Sequence, residues 1–428
     1  MSIVIIGAGI IGVSTAYHLQ ELGCTEEIHL VESCPNLFSG ASGYAAGFLA
    51  SNWYSTAMLP LGALSFSLHK SIAKEHNGSE RWGYSGSTGI SLGHPLDGDD
   101  PDREVNESGE DWLLQGTSRA QVAQRNEQYG KANNDKPSWL RVGKGQACEV
   151  ISGADSTAQV DPLRMCQCLL RKVQERGGHL HSGCTADDLL KDRQDQLSGL
   201  TLSTGEKIPC TKIVFTSGSW TPQAFKKLFP SSHTAQRKID DIGKLAGHSI
   251  IVKSPHWKAA GEEGRFPLGC HAVFATTFSS SQSVTGSKSF APEIFSRLPD
   301  EIYVAGLNSS TAPLPERADK TVIQEEDIDV LKEAARKIIR LSEEEAADLQ
   351  VIRKGHCFRP TTSSGRPFIS EVPSEWLADD CTFADDGGVW FSAGHGPWGI
   401  SLSQGTGRVL AELVLRTKTS IDVKPFRL

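Results

Sequence analysis

Four apolar residues, Ile3-Val4-Ile5-Ile6, run without interruption into Gly7-Ala8-Gly9-Ile10-Ile11-Gly12. So short an apolar run, closed by glycines, predicts a buried strand and a tight turn. Ile10, Val13, Ala16, Tyr17 and Leu19 then predict an amphipathic helix. Residues 26–32 return to a strand pattern and end on Glu32, twenty positions beyond Gly12. Further on, Leu61, Leu64, Leu68 and Ile72 mark a helix over 59–75, and Leu163, Cys166, Leu169, Leu170 and Val173 mark another. Pro162 suits the first turn of that second helix. Ile213-Val214-Phe215 predicts a strand ending in small residues ahead of Trp220 and Pro222. Between 226 and 349, the runs at 249–252, 272–278 and 301–305 read as strands, joined by one strongly amphipathic helix over 326–341. Near the end, residues 387–393 form a strand that breaks into Gly394-His395-Gly396-Pro397-Trp398-Gly399-Ile400, before a helix over 402–415.

Strand, glycine turn, helix, strand and acid together describe a βαβ unit suited to a dinucleotide. Gly7 permits the tight turn, Gly9 lets backbone N–H groups approach a pyrophosphate, and Gly12 lets the helix sit close on the strand. Glu32 stands where a carboxylate can accept hydrogen bonds from ribose hydroxyls. At this stage NAD and FAD are both open. Residues 39–47 are rich in Gly, Ser and Ala and predict a loop able to wrap phosphates with N–H and hydroxyl groups. At the far end, the helix after the Gly-His-Gly turn offers unpaired N–H donors and a partial positive charge.

Composition narrows the class. The chain has 428 residues and a net charge of -8, with no stripe of Lys and Arg, which argues against nucleic acid or an anionic membrane as partner. No apolar run reaches the length of a membrane span. Ten cysteines are spread without a Cys-x-x-Cys pair, and Cys166 and Cys168 are spaced to different helix faces, which predicts reduced thiols and no metal site. Residues 93–137 carry eight acids from Asp97 to Asp111 and predict a mobile surface excursion.

With both ends in view, the chain resembles the FAD-dependent oxidoreductases of the D-amino-acid oxidase, glycine oxidase and sarcosine oxidase superfamily. The likeness rests on the first glycines, Glu32, residues 39–47, Gln159-Val160-Asp161-Pro162, residues 216–220, residues 356–369 and residues 394–400. It is nearest to a fungal and bacterial branch known only as FAD-dependent oxidoreductases. The resemblance implies an α/β fold: a Rossmann-like FAD-binding domain with an inserted, mainly antiparallel-sheet substrate domain. Its implied parts are FAD-binding at 1–83, 151–225 and 351–428, and substrate-binding at 84–150 and 226–350.

The resemblance also implies roles. Gly7, Gly9, Ile10, Ile11 and Gly12 hold the FAD pyrophosphate, Glu32 the adenosine ribose, and Ser39, Ala41 and Ser42 lie along the pyrophosphate and ribityl chain. Val160 contacts the adenine side through its backbone, Gly218 and Trp220 pack near the cofactor's middle, and Gly394, His395, Gly396, Gly399 and Ile400 approach the isoalloxazine ring. Arg359, in Arg359-Pro360-Thr361-Thr362-Ser363-Ser364-Gly365-Arg366-Pro367, matches the arginine that grips a substrate carboxylate in glycine-oxidase-like members, with Ser364 where the family has an aspartate. A structural ion pair is its competing reading. Cys357 lies near the cysteine that bonds flavin covalently in sarcosine oxidases; one extra residue before Phe368 favours a buried thiol and non-covalent FAD. Tyr44 replaces a basic residue common in the branch, and Tyr44, Trp53 and Trp398 suggest an aromatic substrate site.

The implied reaction is oxidation of a C–N bond in an amine or N-substituted amino acid by hydride transfer to flavin N5, with O2 as acceptor and hydrogen peroxide as product. His395 is a candidate to polarise flavin or substrate. Two alternatives remain: a flavin dehydrogenase feeding a quinone or protein acceptor, and an FAD-stabilised interaction or trafficking protein with little turnover. The expected location is cytoplasmic; a peroxisomal one is disfavoured because Phe426 is bulky where a Ser-Lys-Leu ending has a small residue.

Overall fold

The computed structural model describes residues 2–93, 136–143, 145–257, 269–275, 278–279, 289–347 and 349–428. Most of the acidic stretch expected to be mobile, 94–135, lies outside them.

The chain opens with β1 (Ser2–Ile6), α1 (Ile10–Glu21) and β2 (Glu27–Glu32), in register and parallel. Next come a helical turn, α2 (Ala41–Tyr44), β3 (Phe48–Ala50), α3 (Leu59–Glu75), α4 (Gly78–Trp82) and β4 (Ser85–Gly93). After β5 (Ala147–Ser152) and β6 (Thr157–Gln159), α5 (Pro162–Glu175) starts where Pro162 predicts. The Asp161 side chain caps it by accepting from the Arg164 N–H at 3.1 Å, a contact worth about 1 kcal/mol. Strands β7 (His179–Ser182), β8 (Ala186–Lys191), β9 (Leu197–Leu202), β10 (Lys207–Pro209) and β11 (Lys212–Phe215) lead to α6 (Thr221–Leu228) and α7 (His233–Ile239).

A run of strands follows: β12 (Gly243–Lys253), β13 (Cys270–Ala275), β14 (Phe278–Ser279), β15 (Ser289–Phe290), β16 (Glu293–Arg297) and β17 (Glu301–Ser309). The predicted amphipathic helix is α8 (Glu325–Ile338), followed by α9 (Glu343–Ala347). Then come β18 (Val351–Thr361), β19 (Phe368–Glu371), β20 (Gly388–Ala393) and α10 (Gly399–Val414).

Two sheets organise these elements. The first has order β19-β20-β11-β1-β2-β7 and is parallel except at β19. The second has order β18-β12-β17-β16-β13-β4-β6-β3, with β5 beside β4; it is antiparallel apart from β13 against β4. It draws strands from 48–50, 85–93, 147–159, 243–309 and 351–361, so β18, with Cys357 and Arg359, belongs to it rather than to the dinucleotide sheet. This is the α/β architecture expected, with the chain returning three times to the first sheet.

Period-two alternation splits the first sheet's faces. Ile3, Ile5, Leu30 and Val214 join a core with α1, α3, α5 and α10, which continues into the second sheet through Phe48, Phe274 and Phe295. Val4, Ile6, Val31 and Phe215 face the small sheet β8–β10 and α6. The expected amphipathic α1 is instead buried from Ile10 through Leu19, because α5 and α10 cover the side where a polar face was expected. Arg297 ties β16 to the segment between α2 and β3: fully buried, it donates to the carbonyls of Ala45 (2.5 Å) and Ala46 (2.9 Å). No helix among the described residues is long and apolar enough to cross a membrane.

Candidate active site

The cradle is built where β1 meets α1. Gly7 sits at φ +105°, and a Cβ there would lie 2.8 Å from the Thr216 backbone, so glycine is required on both counts. A Cβ on Gly12 would lie 2.1 Å from the Gly7 carbonyl oxygen and 2.7 Å from Thr216 Oγ1. Gly12 therefore sets how closely α1 seats on the turn. Thr216 and Ser217, at the end of β11, brace the same turn by donating to the carbonyls of Gly7 (2.8 Å) and Ile6 (2.9 Å).

Glu32 is held rigidly: its two carboxylate oxygens accept from the N–H groups of Ala8 (3.0 Å) and Cys34 (2.9 Å). Ser42 Oγ accepts from the Ile10 N–H at 2.9 Å, capping α1 from outside. Residues 39–47, expected as a loop, thus contain a helical turn at Ala41–Tyr44, because Ser42 and Arg297 anchor that segment.

A cleft of about 1160 Å³, counting the open solvent at its mouth, runs from this cradle to β18 and the first turn of α10. Gly218 and Trp220 form one wall, and the Trp220 indole N–H is tied to the Pro315 carbonyl at 2.8 Å. Helix α10 starts at Gly399, three residues before the expected 402, so its N–H donors reach the cleft beside Gly396 and Ile400. Two buried hydroxyls at the lining, Ser219 and Ser392, have no hydrogen-bond partner among the described residues. Glycine cradle, fixed carboxylate, helix N-terminus and orphaned hydroxyls suit a long ligand carrying pyrophosphate and many acceptors. FAD is such a ligand.

At the far end, Arg359 reaches the cleft from β18. Its guanidinium donates to Asn308 Oδ1 at 2.7 Å. Among the described residues no carboxylate pairs with it, so the competing structural ion pair is not found there. Among the described residues, Glu32 and Arg359 are the only Asp, Glu, Lys or Arg side chains on the lining, one toward each end. Cys357 also lines the cleft, where burial pushes its thiol above its ordinary pKa and the Arg359 and Arg353 charges only partly oppose this. His395 is enclosed, with Nε2 3.1 Å from Thr406 Oγ1; burial pushes its pKa down to about 3, which keeps the ring neutral.

The cleft gathers Gly7, Gly9, Ile10, Ile11, Glu32, Ser39, Ala41, Ser42, Gly218, Trp220, Cys357, Arg359, His395, Gly396, Gly399 and Ile400. Gly12 lies behind the turn, and Gly394 (φ +89°) faces Thr362 and Pro367. Val160 is fully buried, its N–H donating to the Gly47 carbonyl at 2.9 Å and its carbonyl accepting from Gln159. Trp53 and Trp398 are core, packed on Phe48 and Phe274 and on Tyr54 respectively, and neither lines the cleft. Tyr44 is covered by Arg353, whose guanidinium lies 4.5 Å from the ring centre. A positive charge thus stands beside the position where the branch carries a basic residue.

Sequence reasoning missed Cys34, Phe38 and Ser392 as lining residues, and Asn308 as the partner of Arg359. Cys34 and Phe38 lie just beyond Glu32 and could have been found by extending the site past the acid. Asn308 could not, since it meets Arg359 only through the pairing of β17 and β18 with β12.

Comparison with known proteins agrees with this geometry. A Schizosaccharomyces pombe protein named only as an oxidoreductase is 27% identical over 434 residues, covering 99% of this chain and 97% of its own. The glycine oxidase of Geobacillus kaustophilus is 24% identical over 438 residues, covering 100% and 96%. Its crystal structure superposes with a TM-score of 0.68 at 19% identity, covering 100% of this chain and 98% of that one. Iminodiacetate oxidase from Chelativorans sp. BNC1 superposes with a TM-score of 0.65 at 20% identity, covering 99% and 98%. The model of the DAO family, described as FAD dependent oxidoreductase, matches residues 2–413, and with a cleft that fits FAD in place this chain belongs to that family of FAD-dependent enzymes.

Proposed function

We propose that the enzyme oxidises the C–N bond of a small amine bearing a carboxylate, an amino acid or N-substituted amino acid. The observation that carries this reading is Arg359, a guanidinium at the cleft that among the described residues has one neutral partner and no carboxylate. A fork with free donors matches a substrate carboxylate bidentately. The names of the glycine oxidase and iminodiacetate oxidase neighbours point to substrates of the same class.

Within the proposal, Gly7, Gly9, Ile10, Ile11, Ser39, Ala41 and Ser42 hold the pyrophosphate stretch of FAD, and Glu32 the ribose hydroxyls. Gly218 and Trp220 flank its middle, and Gly396, Gly399 and Ile400 bring the α10 N-terminus to the ring. When bound, FAD would supply the two-electron acceptor for oxidation of the carbon beside the substrate nitrogen. The product imine is then hydrolysed by water. Among the described lining residues none is a strong general base: Glu32 is committed to two N–H donors, and burial lowers the pKa of His395 to about 3, leaving a weakly basic ring with Nε2 engaged. The amine therefore reacts in its neutral form, and the reductive rate rises with pH until the substrate nitrogen is deprotonated. Cys357, a buried thiol with a raised pKa, is a poor nucleophile, which favours non-covalent FAD. We take O2 as the acceptor, with hydrogen peroxide as product.

The test compares anaerobic flavin bleaching by N-methylglycine and by its methyl ester. The wild type should prefer the acid by about 10- to 150-fold, the worth of a hydrogen bond to a charged group. Arg359→Met should abolish that preference while leaving the flavin spectrum intact. A wild type indifferent to the ester, or a variant that keeps the preference, refutes the assignment.

A further inference from the structure

On the outer edge of the dinucleotide sheet, β2 and β7 run parallel with His29 opposite His179 in register. His181, two residues on, shares the face of His179. Beyond them, Glu206 approaches from the β9–β10 turn and Glu27 from β2. The cleft does not include any of these five residues.

The side chains approach one another closely. Glu206 Oε2 lies 3.2 Å from His181 Nδ1, and His29 Nδ1 shares a hydrogen bond with His181 Nε2 at 3.0 Å. With Nδ1 engaged there, His29 turns Nε2 toward Glu27 Oε2 at 3.7 Å. The His179 ring stacks on His29 with centroids 4.7 Å apart and adds a third donor atom. Donor atoms of Glu27, His29 and His179 lie within 4.8 Å of one another.

We propose that Glu27, His29 and His179 form a divalent transition-metal site, best suited to Zn2+, with His181 and Glu206 as the outer shell that orients His29. Imidazole nitrogen with one carboxylate selects a borderline ion over Mg2+ or Ca2+. The Glu206–His181–His29 chain is the carboxylate–histidine relay that sets the tautomer of a metal-bound imidazole. Bonds of about 2.0–2.1 Å need the donors to close to about 3.3 Å in a tetrahedron, with water as the fourth ligand. Rotation of the exposed Glu27 and His179 side chains supplies that closure. The ion would clip the edge strand β7 to β2. The sequence carried the signal as His179-Leu180-His181, a His-x-His pair on a strand.

The experiment titrates Zn2+ into the FAD-loaded protein against a chromophoric chelator, with flavin absorbance as the check on folding. The wild type should take up one tight ion per chain. His179→Ala should weaken uptake by more than tenfold, and Glu206→Gln by about 10- to 100-fold through the outer shell. His233→Ala, an exposed histidine on α7, should change nothing. No stoichiometric uptake, or equal uptake by wild type and His179→Ala, overturns the proposal. Should the variants misfold, zinc-edge X-ray absorption of the wild type decides: two imidazoles with oxygen support the site, and a sulfur-dominated shell overturns it.

Discussion

Three histidines, His18 on α1, His69 on α3 and His395 before α10, are buried where these elements pack. Burial lowers their pKa values from the ordinary 6.5 to about 3 for His18 and His395 and about 4 for His69. For His18 the nearby Arg408 charge adds to the effect. His69 is also structural for the site, since its Nε2 hydrogen-bonds the Ile400 carbonyl at 2.9 Å in the first turn of α10. A histidine with a depressed folded-state pKa stays neutral in the folded chain but takes up a proton on unfolding below pH 6.5. Its stabilising contribution is therefore complete above 6.5 and is lost as pH falls toward the folded value. At pH 5 each unfolded ring is almost fully protonated and each folded ring almost wholly neutral. The loss is about 1.5 pH units times 1.36 kcal/mol, about 2 kcal/mol per histidine and about 6 kcal/mol for the three. That is comparable to the whole stability of many domains. Denaturant unfolding of the FAD-loaded protein at pH 7, 6 and 5 should fall steeply, with flavin release tracking the loss. His69→Gln should be destabilised at pH 7 yet lose about one proton from the slope. A flat profile from pH 7 to 5, or a variant with the wild-type slope, refutes the reasoning.

Other perturbations have equally definite outcomes. Gly12→Ala places a methyl 2.1 Å from the Gly7 carbonyl oxygen, so it should cost about 1–3 kcal/mol or more and release FAD, read by denaturant midpoint and flavin retention on gel filtration. Glu32→Gln keeps the side-chain shape but turns one acceptor oxygen into a donor facing an N–H, either Ala8 or Cys34; it should weaken FAD binding by tenfold or more in a fluorescence titration, with little change in the reductive rate once loaded. Acid precipitation should leave FAD in the supernatant, and Cys357→Ala should behave identically; flavin fluorescence in the pellet would show instead that Cys357 is linked to it.

The first sheet and the glycine turn that opens the cleft were legible because they are local. One strand, three glycines and one acid within 32 residues specify a turn, a helix seat and a carboxylate. The C-terminal Gly-His-Gly turn was legible for the same reason. Partnerships made by tertiary pairing were not. Asn308 reaches Arg359 through a shared neighbouring strand, and α1 loses its expected polar face because a helix almost 400 residues later packs on it. Trp53 and Trp398 read as site aromatics, yet are core because the second sheet folds its phenylalanines onto Trp53 and Tyr54 covers Trp398. Aromatic residues near a motif say little about which side of a wall they occupy. The histidines at 29, 179 and 181 went unread since metal binding was sought among cysteines, and only strand pairing brings His29 to the other two.

The central claim, a flavin cleft that oxidises a carboxylate-bearing amine, is tested most directly by mixing the FAD-loaded protein anaerobically with a panel of primary, secondary and N-alkylated amino acids. The account predicts that at least one bleaches the flavin, with faster reduction at higher pH and peroxide on readmission of air. A flavin that stays oxidised with every amino acid, but is reduced by hydroxy acids or by none of them, would contradict it.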